Sequence, residues 1–147
     1  MPVTGIDPKN VPERFRPILY ANPWADHFDL EVVSYGSGKA ELRFQYDKRF
    51  TQYQGVVQGG VLAGYADAAI AVAVTTILPE GKDMVTTDLC MQYVRPAKSG
   101  PFLARAEVVD RGNTLLRCQA VVEIEGQGVC ARCTATYMLV SPRMPQP

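Results

Sequence analysis

Apolar and polar positions alternate in short segments on both sides of one long, continuously apolar segment. Alternation with a period of two predicts a hairpin of two strands, 28–34 and 39–46, which turns at Gly36-Ser37-Gly38. Four later runs alternate in the same way and are separated by turn sequences: 84–94, 101–110, 115–125 and 129–140. The order of these elements predicts an α+β fold, with an antiparallel sheet of about six strands wrapped around one long central helix.

The apolar segment between the two groups of strands predicts that helix. It follows a turn at Gly59-Gly60, is rich in alanine, and runs to Leu78, where Pro79 and Gly81 end it. Because nearly all of its sides are apolar, we expect other parts of the structure to surround it.

Asp67 is the one carboxylate within this helix. Helical spacing places Gly60, Ala63, Gly64 and Ala71 on the same face, three, four or seven residues away. These small side chains form a shallow trough with room for a ligand or a second helix. The pattern leaves two interpretations open. Asp67 either has a chemical role, or it lies in a tight helix–helix contact and is bonded to a backbone or hydroxyl donor.

Strict alternation in the 84–94 strand predicts two unlike faces. One carries larger or apolar side chains: Val85, Thr87, Leu89, Met91 and Tyr93. The other is mostly polar: Thr86, Asp88, Cys90 and Gln92. Such a polar face indicates either solvent or a functional site.

Length and charge limit the classes of function. The 147 residues suit a single domain over 1–147, with an N-terminal extension at 1–21 and a C-terminal tail at 141–147. Fifteen basic and fifteen acidic residues cancel, which argues against a nucleic-acid partner. The first ten residues lack a signal-peptide pattern, and Asp67 near the middle of the apolar run argues against a membrane span. We therefore expect a cytoplasmic protein.

Neither the cysteines nor the histidine predict a metal or redox site. Cys130 and Cys133 form C-A-R-C, but they lie on a predicted strand with no second pair and no histidine nearby. Free thiols in a reducing cytoplasm are the simpler interpretation. His27, the single histidine, adjoins Asp26, and side chains at adjacent positions do not normally converge, so a structural or solvated role is favoured.

One motif spans the loop and the helix start. It consists of Gln52-x-x-Gly55-x-x-Gln58-Gly59-Gly60, followed by Asp67. Together with the later T-T-D-L-C-M-Q-Y-V-R-P-A-K-S-G, it resembles the hotdog-fold acyl-CoA thioesterases, specifically the PaaI-like (phenylacetyl-CoA thioesterase) branch. The resemblance covers about residues 22–140. The chain departs from the family at Gln58, where the family usually has histidine.

The resemblance implies roles for four residues. The backbone N–H of Gly59 would polarise the thioester carbonyl, with Gln52 as a side-chain donor near the same oxygen. Asp67 would be the nucleophile or the general base for water, and Thr86 would hold that water. No cofactor is implied, because coenzyme A is part of the substrate.

The remaining expectations concern substrate binding and assembly. Gln58, Gly60, Ala63 and Gly64 would contact the substrate. Arg95, Lys98 and Arg111, at or near strand ends, are candidates for the coenzyme A phosphates.

Gly59 and Asp67 are eight residues apart, about 12 Å along a helix, which is too far for both to act on one carbonyl. A two-fold axis between antiparallel helices would bring Gly59 of one chain near Asp67 of the other. We therefore expect a homodimer, or a dimer of dimers, with sites between subunits.

Two alternatives remain beside hydrolysis of a small, medium-chain or aromatic acyl-CoA. One is an acyl-CoA-binding protein that has lost catalysis, and Gln58, in place of the usual histidine, would be a sign of that loss. The other is a hotdog hydratase or dehydratase, which would need a catalytic histidine near the helix. His27 lies in the wrong segment for that role.

Overall fold

A computed structural model describes residues 3–6 and 11–142. The chain forms one antiparallel sheet with strand order β1-β2-β3-β5-β6-β7-β4. The strands are β1 (Val3–Ile6), β2 (Leu30–Gly36), β3 (Lys39–Phe44), β4 (Asp83–Tyr93), β5 (Phe102–Arg111), β6 (Leu115–Ile124) and β7 (Gly128–Val140). The helices are α1 (Arg16–Leu19) and α2 (Gly59–Thr75), with short 3-10 turns at Glu13–Phe15, Ala25–His27 and Lys48–Phe50.

The sheet has seven strands rather than about six. The additional strand, β1, lies in the predicted N-terminal extension and pairs antiparallel with β2, with Val3 opposite Tyr35. The six predicted strands are all present, each close to its expected bounds. Residues 143–147 of the predicted tail lie outside the described residues.

Helix α2 packs its bulky side chains against the sheet, and the small residues around Asp67 lie on its more accessible face. Leu62, Tyr65 and Ile70 are buried, and the Tyr65 ring stacks on Phe44 with centroids 4.0 Å apart. A buried aromatic of this size contributes about 4 kcal/mol through the area it removes from water. The predicted trough residues are all partly or fully exposed: Gly60, Ala63, Gly64, Asp67 and Ala71. Apart from a contact with Trp24 at Gly64, this face of the helix is therefore partly accessible rather than surrounded.

The helix ends at Thr75, three residues before the predicted end at Leu78. The hydroxyl of Thr75 donates to the carbonyl of Ala71 at 2.8 Å, and the hydroxyl of Thr76 donates to that of Ala73 at 2.7 Å. The backbone N–H of Gly38, in the β2–β3 turn, donates to Thr76 Oγ1 at 2.7 Å. The next backbone N–H groups, of Ile77 and Leu78, donate to the carbonyls of Val74 and Thr75 at 3.0 and 3.3 Å, so the last turn tightens and the α-helix ends before Pro79.

Strand β4 contains a β-bulge that overturns the predicted alternation. Thr86 pairs with Tyr137 and Asp88 pairs with Thr136, so Thr87 is the extra residue. The bulge turns Thr86 toward α2, on the same side as Leu89. Thr86 therefore does not share a face with Asp88, as the strict period of two had predicted.

Membrane insertion, metal binding and thiol chemistry were considered from the helices and the cysteines. Within 3–6 and 11–142, no helix combines the length and apolar character of a membrane span. Over the same residues, no group of histidine, cysteine and acidic side chains is arranged to hold a metal ion. The cysteines are unpaired, and burial raises the pKa of the Cys133 thiol to about 12.

Candidate active site

Asp67 lies midway along α2 and points toward β4 and β7. The hydroxyl of Thr86 donates to Asp67 Oδ1 at 3.0 Å. The hydroxyl of Tyr137 also reaches Oδ1, and it lies 2.9 Å from the backbone carbonyl oxygen of Asp67. Within the described part of the chain, Oδ2 has no hydrogen-bond partner. One carboxylate oxygen is thus held in place, and the other is available on the open face of the helix.

Tyr137 was not predicted as a site residue. Its side chain is 2% exposed on β7. Burial, together with the neighbouring Asp67 carboxylate, raises the pKa of Tyr137 well above its usual value, so its hydroxyl stays protonated and remains a donor. The alternation of side chains along β7 is the one signal in the sequence that could have placed Tyr137 on the inner face of the sheet. Its position opposite Thr86 depends on the pairing of β4 with β7, which no local pattern reveals.

The first turn of α2 provides unpaired backbone donors. Gln58 is the N-cap, and its side chain makes no cap hydrogen bond. The N–H groups of Gly59 and Gly60 have no acceptor in the described ranges, as is usual for a helix start. This helix end favours a negatively charged oxygen, because its free N–H groups and the helix dipole both point there.

Tyr93 packs closely against the backbone of Gly59. The Tyr93 hydroxyl donates to the Gly59 carbonyl at 2.7 Å. A Cβ on Gly59 would lie 2.9 Å from Tyr93 Cζ, whereas one on Gly60 would meet nothing within 4 Å. Tyr93 is 54% exposed and lies on the edge strand beside the helix start. It is therefore a second tyrosine at the site that the motif did not indicate.

Gln52 is bonded within its own loop. Its Nε2 donates to Gln54 Oε1 at 3.0 Å, and its Oε1 accepts from the backbone N–H of Gln54. The backbone of the same residue donates to the Val56 carbonyl at 2.8 Å. In this arrangement the Gln52 amide holds the loop before α2, and its role as a donor to a substrate oxygen stays a prediction.

The predicted trough is not open along its whole length. A Cβ on Gly64 would lie 2.6 Å from Cζ2 of Trp24, so the indole lies directly on the helix backbone at this point. The indole also packs on Phe28, with ring centroids 4.3 Å apart. Space for a ligand or a second helix is therefore closed at Gly64, and Trp24 forms a wall one helical turn before Asp67.

The three cations predicted to contact coenzyme A do not meet in one chain. Arg95 and Lys98 lie in the segment after β4, which joins the helix start through a 2.8 Å bond from Val57 N–H to the Ala97 carbonyl. Arg95 also donates to the Gln127 carbonyl at 2.7 Å. Arg111 ends β5, about 30 Å from the beginning of that strand. It lies near the opposite end of the sheet, away from the helix start.

His27 is exposed and lies away from Asp67, as the sequence predicted. It lines a surface cavity of about 460 Å³ with Asp26, Asp29 and Asp47. A larger groove of about 510 Å³ crosses the face of the sheet opposite α2, between Arg105 and Arg132. Neither cavity includes Asp67 or Gly59.

Comparison with known proteins identifies the family. Residues 54–131 match the model of the thioesterase superfamily, and this segment includes Gly59, Asp67 and Thr86. The chain belongs to the thioesterase superfamily. Gln52 and Tyr137 lie outside the matched segment.

Individual relatives are similar along most of their length. The chain is 27% identical over 136 residues to the medium/long-chain acyl-CoA thioesterase YigI of Salmonella typhimurium, covering 82% of this chain and 88% of that protein. It superimposes on a thioesterase family protein from Silicibacter pomeroyi with a TM-score of 0.81 and 26% identity, covering 88% and 98% of the two chains.

A phenylacetic acid degradation-related protein from Ralstonia eutropha gives a TM-score of 0.72 and 26% identity, covering 86% of this chain and 99% of that one. The predicted hotdog fold and the thioesterase family are thus confirmed. The PaaI-like branch remains a prediction.

Proposed function

We propose that this protein hydrolyses acyl-CoA thioesters with Asp67 as the general base. The observation that carries the proposal is the arrangement of the Asp67 carboxylate. Two hydroxyl donors hold its Oδ1, while Oδ2 remains free beside a trough of small residues. A carboxylate fixed in this way can accept a proton from a water molecule aligned with a bound thioester.

The proposed reaction proceeds in two steps. A water oxygen attacks the thioester carbonyl carbon while one water proton moves to Asp67 Oδ2, which gives a tetrahedral oxyanion. The Gly59 N–H stabilises that oxyanion, because it lies at a helix start without an acceptor of its own. The carbon–sulfur bond then breaks, and the proton on Asp67 passes to the departing coenzyme A thiolate. Thr86 can accept a hydrogen bond from the attacking water through its hydroxyl oxygen.

Two chains are needed to complete each site in this proposal. Gly59 and Asp67 of one chain are about 12 Å apart along α2. The open face of α2 adjoins β4, and β4 pairs only with β7 within the described residues. An isologous dimer through the β4 edge and the part of this face that Trp24 leaves accessible would bring Gly59 of one chain to Asp67 of the other.

Several features support an acyl-CoA as the substrate. The positive charges of Arg95 and Lys98 lie in the segment that joins the helix start, where they suit the phosphates of coenzyme A. Trp24 and Tyr93 are partly exposed aromatic side chains beside the helix, and they suit an apolar acyl group. Relatives include a medium/long-chain acyl-CoA thioesterase and a phenylacetic acid degradation-related protein. We therefore propose a medium-chain or aromatic acyl group, and the reduced thiols suit a cytoplasmic location.

A panel of acyl-CoAs of increasing chain length, with phenylacetyl-CoA included, tests this function. Release of the thiol is followed with a dye, and binding is measured in parallel by calorimetry. We expect turnover of at least one class of substrate and its loss in Asp67→Asn. Binding without thiol release would support the binding-only alternative. Hydration of an enoyl-CoA without thiol release would support the hydratase alternative.

A further inference from the structure

We propose that Tyr137 is a positioning residue that serves Asp67 in both of its protonation states, by turning one hydroxyl proton between two oxygens of the same residue. The inference rests on the proposed function, in which Asp67 takes up and returns a proton.

The geometry around the Tyr137 hydroxyl carries this inference. Two oxygens lie within hydrogen-bonding reach: Asp67 Oδ1 and the Asp67 backbone carbonyl oxygen, the latter at 2.9 Å. A tyrosine hydroxyl has one proton, so it can donate to only one of them at a time. The side chain is 2% exposed. Rotation about the C–O bond exchanges the two acceptors without moving any other atom.

The charged state of Asp67 favours donation to the side chain. Oδ1 then receives the protons of both Tyr137 and Thr86, and hydrogen bonds to a charged acceptor are the stronger kind. These two bonds fix the side-chain rotamer from one side. Oδ2 is thereby directed to the open face, where the attacking water would lie.

Protonation of Oδ2 reverses the preference. The water O–H bond breaks, the Oδ2–H bond forms, and Oδ1 becomes the weaker acceptor of a neutral acid. The Tyr137 proton can then turn to the Asp67 carbonyl, which has two lone pairs and keeps its helical bond as well. Tyr137 never loses its proton, because burial and the nearby carboxylate keep its pKa high. No buried donor is left unsatisfied in either state.

The other titratable groups around this cluster come from three strands. The charge of Asp88 on β4 and the Cys118 thiol on β6 both interact with Cys133 on β7, and Cys133 interacts with Asp67. Burial raises the pKa of Cys118 to about 11 and that of Cys133 to about 12. Both thiols therefore stay neutral at ordinary pH. Asp88 is unchanged in Tyr137→Phe and in its control variant.

The test deletes the Tyr137 hydroxyl and follows Asp67 directly. Tyr137→Phe and wild type are labelled with 13C at the aspartate carboxyl groups, and the Asp67 resonance, assigned with Asp67→Asn, is titrated by NMR. The hydroxyl bonds the charged form more strongly than the neutral form, so its removal should raise the pKa of Asp67 by roughly one unit. In the acyl-CoA assay, the acid limb of the rate profile should move to higher pH, and kcat should fall about tenfold with KM within twofold.

Tyr65→Phe is the matched control. Tyr65 is also a buried tyrosine, 1% exposed, and it lies on α2 two residues before Asp67, yet none of its bonds within the described residues involves Asp67. It should leave both the Asp67 titration and kcat unchanged. If Tyr137→Phe folds poorly, 3,5-difluorotyrosine at position 137 keeps the shape while strengthening the donor. That variant should lower the pKa of Asp67.

An unchanged Asp67 titration in folded Tyr137→Phe, or in the fluorinated variant, would overturn the role of Tyr137. An equal shift in Tyr65→Phe would also overturn it, since the effect would then be one of general packing. Failure of the proposed function is recognised separately: wild type would release no thiol from any acyl-CoA. The NMR titration still decides the role of Tyr137 in that event.

Discussion

Asp67→Asn removes the proposed base and preserves nearly all of its surroundings. The asparagine carbonyl oxygen can take the place of Oδ1 and still accept from Thr86 and Tyr137. Its NH2 group takes the place of the free Oδ2, where it can no longer accept a proton. The change in side-chain volume is negligible, so packing against β4 and β7 is preserved.

The structure sets different magnitudes for activity and stability. Loss of a general base should lower kcat by about 10²- to 10⁴-fold. Two hydrogen bonds to a charged acceptor become bonds to a neutral one, and each such change costs about 1 kcal/mol of unfolding free energy. Relief from holding a partly buried charge offsets part of that cost. We therefore expect the free energy of unfolding to change by less than about 2 kcal/mol.

The assay combines thiol release, calorimetric binding and urea unfolding on the same preparations. Asp88→Asn is the control, since it makes the same chemical change on the opposite face of β4. It should keep kcat within twofold of wild type. Thioester cleavage by Asp67→Asn within threefold of wild type, with normal folding, would refute a role for Asp67 as the base. Loss of binding together with turnover would instead show that Asp67 holds the substrate.

Three further predictions test the trough, the shared site and the helix cap. Gly64→Ala would place a Cβ 2.6 Å from Trp24 Cζ2, so the free energy of unfolding in urea should fall by about 1 kcal/mol, even after the gain from the higher helix propensity of alanine. In a Trp24→Leu background the same change should stabilise the protein, and equal effects in both backgrounds would exclude the contact. Gly59→Pro removes the proposed oxyanion donor at a helix position that suits proline. Its Cβ would lie 2.9 Å from Tyr93 Cζ, so the exposed Tyr93 ring must shift, and urea unfolding of Gly59→Pro alone checks that the variant folds. When this variant is refolded together with Asp67→Asn, the mixture should recover about a quarter of wild-type activity, because half of the dimers are mixed and each mixed dimer has one intact site of two. No recovery, with mixed dimers confirmed by mass, would place both groups in one chain. Gln58→His should keep the free energy of unfolding within about 0.5 kcal/mol of wild type and the activity equal or higher, because Gln58 is exposed and makes no cap bond. A large loss of stability would reveal a local hydrogen-bond network around Gln58.

Local pattern was sufficient for most elements and for part of the site. Side-chain periods of two and 3.6 depend on residues close together in the chain, so the predicted strands from β2 onward, the start of α2 and the small-residue face around Asp67 agree with the structure. Strand β1 was missed because four residues in a proline-containing segment are too few to show a period. The early end of α2 was missed because Thr76, at the end of the helix, is held by a bond from the Gly38 N–H, 38 residues away in the chain.

The hydrogen bonds that hold Asp67 come from segments that are distant in the chain. Thr86 reaches it only because the bulge at Thr87 turns one residue of β4 to the opposite face. Tyr137, 70 residues beyond Asp67, reaches it because β7 pairs with β4 in one register. Trp24 closes the trough at Gly64 through a contact between residues 40 positions apart in the chain. Helical spacing was enough to indicate that Asp67 shares a helix face with small residues. Its partners depend on pairing and packing between distant segments, and these exist only once the chain has folded.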